Sequence, residues 1–176
     1  MNRPTCYRKR LALLSALLCA ASLSSGARAQ DLIVPLQAAP PPMVYLPQEA
    51  RTQLSAADDE KARTRLSLEL AEARLARAEQ QTELKQFNAA AADLGIYQAL
   101  LEDALQYLYR TDDGASRSRD LFKRIEQSLR KHAVRVETMR RATPGEFAGN
   151  LVALGALVRD LRTEALEAFY SDTIVR

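Results

Sequence analysis

Residues 87–108 read FNAAAADLGIYQALLEDALQYL, and this stretch decides the fold. Phe87, Ala90, Leu94, Tyr97, Leu101, Ala104 and Leu108 recur three and four positions apart. That spacing sets them on one stripe of a 3.6-residue helix, whereas a half-buried strand would alternate with period two. The same rhythm extends outward in both directions. Upstream it runs through Leu68, Ala71, Leu75 and Ala78. Downstream it runs through Phe122, Ile125, Leu129, His132, Val136 and Met139, then through Phe147, Leu151, Leu154, Val158, Leu161, Ala165 and Ala168. Each stripe is an apolar seam that must be covered by a neighbour.

The breaks between seams are legible too. Ser55-Ala56-Ala57-Asp58, followed by Asp59 and Glu60, puts a capping residue and negative charge at the start of the first helix. The first stripe loses phase around Lys85-Gln86-Phe87-Asn88, which predicts a tight turn although neither glycine nor proline marks it. Residues 111–116, TDDGAS, form a loop signal. Thr143-Pro144-Gly145-Glu146 is a capping box with proline at the first helical position. Short connections make consecutive helices antiparallel, so the expected fold is all-α, an antiparallel four-helix bundle over residues 55–170 with a short tail at 171–176.

The N-terminus has a different character. Arg3, Arg8, Lys9 and Arg10 precede an apolar run from Leu11 to Ala21, and Ala27-Arg28-Ala29 is a small-x-small cleavage site. Residues 1–29 thus read as a signal peptide cut after Ala29, because the apolar run is shorter than the roughly 20 residues that span a bilayer. The expected location is periplasmic or secreted. Both cysteines, Cys6 and Cys19, fall in the signal, so the mature chain has no thiol and must stand on its core alone. The signal also holds five of the 25 Lys and Arg and none of the 22 acids. Without it the net charge changes from +3 to −2, and the global argument for a nucleic-acid partner vanishes. Residues 30–54 carry Pro35, Pro40, Pro41, Pro42 and Pro47 and read as an extended linker. The alternative for that stretch is a segment laid along the domain through Val44, Tyr45 and Leu46.

No catalytic, metal or cofactor constellation emerges. His132, the sole histidine, lies on an apolar seam and reads as a hydrogen-bonded core residue. Glu69, Glu72, Glu79 and Glu83 alternate with Arg74 and Arg77 as on a solvated helix face. Residues 117–141 hold nine basic groups against Asp120, Glu126 and Glu137, whereas residues 88–116 hold five acids against Arg110. The favoured reading makes these two helices neighbours of complementary charge. The alternative is a basic helix that meets an anionic partner or membrane surface, with Arg124, Lys131 and Arg135, off the seam, as the contact residues. Gly149 and Gly155 suggest close helix packing in the last helix.

Residues 66–108, with Phe87-x-x-Ala90-x-x-x-Leu94-x-x-Tyr97, resemble a tetratricopeptide-type helical hairpin, which implies a helix-pair interaction surface. The layout of signal, proline-rich lead and helical domain also resembles that of small exported bacterial helical proteins. Periplasmic helical chaperones of the Spy type share the compartment and helix content, although their Leu-Thr-x-x-Gln motif is absent here. The function expected from these readings is a non-enzymatic, exported helical domain that binds a protein partner, or is structural, in the cell envelope. A chaperone-like or anionic-ligand binder is the alternative. Seams this regular could also close between two copies of the chain.

Overall fold

Glycine and proline are scarce after residue 47, and among the described residues there the regular structure is all helical. The computed structural model describes residues 38–111 and 116–171, all within the unit Leu36–Arg176. The signal at 1–29, the start of the proline-rich stretch, the loop core at 112–115 and the tail beyond residue 171 lie outside the described residues. Among the described residues there are five helices and no strand: α1 Gln48–Ser55, α2 Glu60–Glu83, α3 Phe87–Thr111, α4 Ser116–Ala142 and α5 Gly145–Ser171.

The short α1 replaces the last seven residues, 48–54, of the stretch 30–54 expected to be an extended linker. Once Pro47 has fixed the entry backbone, QEARTQLS contains only residues a helix tolerates, and burial of Ala50 and Leu54 secures it. Ser55 therefore ends α1, its hydroxyl donating to the Arg51 carbonyl, and does not cap α2. The cap of α2 is Asp59, whose carboxylate accepts from the Ala62 amide at 2.6 Å. Between α2 and α3, the Gln86 amide donates to the Gln81 carbonyl and the Lys85 amide to Thr82. This is a Schellman motif, with Lys85 at φ 59° in the left-handed position that glycine usually fills. The turn is tight without a glycine because the motif's hydrogen bonds outweigh the cost, about 1–2 kcal/mol, of that conformation.

The seams face inward as their spacing requires. Leu75, Tyr97, Leu101, Ile125, Leu129, Val136 and Val158 are all essentially inaccessible to water. The helices pair as two hairpins, α2 with α3 and α4 with α5, and the hairpins stack so that α2 meets α4 and α3 meets α5. Arg63 reaching Asp103 and Arg74 reaching Asp93 fix α2 and α3 as antiparallel. Arg162 reaching Glu126 does the same for α4 and α5. Among the described residues the pairs α2–α3, α3–α5, α5–α4 and α4–α2 follow one another around the core, and α2 and α5 stand diagonally without close backbone approach. Corresponding helices consequently run parallel. Phe87 stacks near Phe147 at 5.7 Å, and Leu94 and Leu154 line one cavity. Phe87 and Phe147, Leu94 and Leu154, Gly95 and Gly155, and Leu101 and Leu161 share a shift of 60 residues.

Residues 38–47 are extended and lie against α3 and α5. The Ala39 amide donates to the Glu146 carbonyl at 2.7 Å, and the Asn150 side chain donates to the Pro40 carbonyl at 2.9 Å. Gly95 makes this approach possible: a Cβ there would stand 2.2 Å from the Met43 carbonyl oxygen. Gly149, by contrast, has open space where a Cβ would be, and Gly155 only ordinary contacts. Close packing is thus the role of Gly95, not of the two glycines that stand out in α5.

Candidate functional site

The α4 seam delivers His132 to a point where three helices meet. Its side chain is almost wholly buried, with Tyr97 of α3 at 3.1 Å from Nδ1 and Glu72 of α2 at 2.9 Å from Nε2. A carboxylate can only accept, so Nε2 carries the hydrogen toward Glu72, which leaves Nδ1 to accept the Tyr97 hydroxyl hydrogen. Burial pushes the His132 pKa below the usual histidine value, against the opposing pull of Glu72. Burial likewise pushes the Tyr97 hydroxyl above its ordinary range. The relay is therefore Tyr97–His132–Glu72 with a neutral imidazole. Tyr97 and the His132 ring are buried with both ring nitrogens engaged, so the trio joins three helices, and the half-exposed Glu72 carboxylate is its one member that reaches solvent.

Arg135, one turn below His132, extends the network. Its guanidinium grips both oxygens of Glu79, at 2.7 and 2.6 Å, and also contacts Glu72. Burial raises the Glu72 carboxyl pKa, but the hydrogen bonds from Arg135 and His132 and the charge of Arg135 outweigh it and hold it below the usual range. Glu72 and Glu79 are thus not members of an idle solvated face. Arg135, expected to point to an outside partner, is committed inward to α2. Among the described residues the acids Asp93 and Asp103 of α3 pair with Arg74, Arg77 and Arg63 of α2.

The other two expected contact residues behave differently. Arg124 and Lys131 are exposed and line a groove of about 380 Å³ between α2 and α4, with Arg65, Glu69 and Glu72 on the opposite wall and His132 at its floor. The groove continues past Arg124 and Gln127 toward Lys61 and Asp120 through a further cavity of about 640 Å³. Neither Arg124 nor Lys131 has an ion pair among the described residues. Arg65 has only Glu69, on its own helix, at 3.4 Å. The network at His132 was invisible in the linear order because its members lie 25, 35 and 60 positions from one another. Only the period-three-and-four placement of His132, one seam away from Tyr97, hinted at it.

Among the described residues no group of three or more His, Cys, Asp and Glu could hold a metal ion. None of the described helices is long and apolar enough to cross a membrane. No family model, no curated protein and no solved structure matches the chain.

Proposed function

We propose that this chain is an exported, non-enzymatic helical domain, a bundle of two stacked hairpins that binds a protein partner in the cell envelope. The supporting observation is the groove between α2 and α4. It combines a rigid floor, fixed by the Tyr97–His132–Glu72 relay, with walls whose cations Arg124 and Lys131 have no partner among the described residues. A groove held in shape by buried hydrogen bonds needs little reorganisation to bind, which is the physical requirement for a docking surface. The N-terminal charge and hydropathy pattern supports export by a cleavable signal.

Two measurements test this reading. Fractionated cells should hold the chain outside the cytoplasm with Gln30 as its first residue; a chain retained in the cytoplasm with residues 1–29 intact counts against export. A photo-crosslinker placed at Gln127 in the groove should give a discrete product in cells that the same crosslinker at Asp160 on α5 does not. Identical patterns from both positions would remove the groove as the binding surface.

A further inference from the structure

The groove is a ladder of cations with one rung filled. On α4, Arg124, Lys131 and Arg135 stand seven and four residues apart, on the face turned toward α2. At the Arg135 rung, α2 supplies two carboxylates, Glu72 and Glu79. At the Lys131 and Arg124 rungs it supplies Glu69, already facing Arg65, and then no acid until Glu60 and Asp59 at the start of the helix, where the Asp59 carboxylate caps α2. At the mouth Lys61 and Lys123 add two further exposed cations, against Asp59 and Asp120. The chain therefore neutralises the closed end of the groove and leaves the open end short of negative charge.

We infer that the open end takes an acidic peptide segment of a protein partner, whose carboxylates stand to Arg124 and Lys131 as Glu72 and Glu79 stand to Arg135. This rests on the partner-binding reading above and names the chemistry of the partner. The shape selects the occupant. From Lys61 to Glu72 the groove runs about 17 Å along α2, the length of about five extended residues. A free anion would fill a fraction of that space. A lipid surface is flat and meets convex cationic faces, whereas these cations line a recess about 380 Å³ in volume. Leu68 and Ser128, on facing walls, offer an apolar and a hydrogen-bonding contact between the charges.

The test is titration of the full chain into fluorescein-labelled hexaglutamate, read by anisotropy. Binding should saturate, weaken with added salt, and fall about tenfold or more in the double variant Arg124→Glu, Lys131→Glu. The charge-keeping double variant Arg124→Lys, Lys131→Arg should bind within about threefold of the parent. Arg159→Glu, a reversal on α5, should bind as the parent does. All three residues are exposed, so helix content by circular dichroism should be unchanged and any loss is a loss of the site. No binding, or equal loss in Arg159→Glu, overturns the inference. So does equal competition by inorganic phosphate, which would indicate a compact-anion site. Tighter binding to phosphatidylglycerol vesicles with the same dependence on Arg124 and Lys131 overturns it in favour of a membrane surface. If the Gln127 crosslink persists unchanged in the double reversal, partner binding stands and only the acidic-peptide inference falls.

Discussion

His132 on α4 accepts a hydrogen bond from the Tyr97 hydroxyl on α3 across 3.1 Å of otherwise apolar core. The other nitrogen of the same ring reaches Glu72 on α2 at 2.9 Å, so one imidazole ties both hairpins together. The contact lies where the hairpins stack, and its loss should register on the whole domain.

Tyr97→Phe leaves Nδ1 without its donor and should destabilise the chain by about 1–2 kcal/mol. His132→Ala adds a cavity and strands the buried Tyr97 hydroxyl, and should cost about 2–4 kcal/mol. Urea unfolding measures both. A neutral or stabilising Tyr97→Phe would mean that the relay contributes nothing to the fold.

The same ring predicts a pH dependence. Its folded pKa lies below the ordinary 6.5, so the unfolded chain binds the proton more readily. Stability should therefore begin to fall as pH drops through about 6.5, toward the lowered folded value. A second loss should follow below the ordinary carboxylate value of 4.5, because Glu72 and Glu126 are held below it and their contribution is present only above it. In His132→Gln the first loss should flatten and the second remain. Stability curves of parent and variant that coincide from neutral pH to pH 5 would rule out the assignment to His132.

Gly95→Ala puts a methyl group where the Met43 carbonyl oxygen stands, 2.2 Å away. Alanine favours the α3 helix by up to about 1 kcal/mol, yet the backbone of residues 42–43 must move away. The expected outcome is release of residues 38–47 with the helices intact. Limited proteolysis should then cut near the exposed Met43 and Tyr45 in the variant first. Equal cutting of parent and variant would show that the segment does not depend on Gly95.

Lys85→Gly relieves the left-handed strain of the Schellman turn and should stabilise the chain by about 1 kcal/mol. Thermal unfolding gives the sign directly. A drop in melting temperature would indicate that the glycine's extra freedom in the unfolded chain outweighs the relief.

Arg135→Ala releases Glu79 and half of Glu72's partners. Water screens these partly exposed groups, so the cost should be about 1 kcal/mol. Arg65→Ala, which loses a pair exposed on both sides, should stay within about 0.5 kcal/mol. Equal costs in denaturant titrations would remove the distinction between the filled and open rungs.

The seams needed no tertiary knowledge. Period-three-and-four spacing forces one face of each helix out of water, and Leu75, Leu101, Leu129 and Val158 are buried because of it. The α2–α3 break was legible as a loss of phase, because a Schellman turn shifts the stripe whether or not glycine occupies it. Other features depended on which helices meet, a long-range choice that local periodicity does not encode. The prolines disguised α1, whose Ala50 and Leu54 become a core face only when α2 is in place. Glu72 and Glu79 look like a solvated face until α4 lies alongside, and Arg135 looks available until those carboxylates reach it. Linear order thus determined the helices and their buried stripes, through side-chain hydration. The stacking of the hairpins decided the rest: it matched Arg135 with acids, left Arg124 and Lys131 facing an open groove, and placed His132 beneath them.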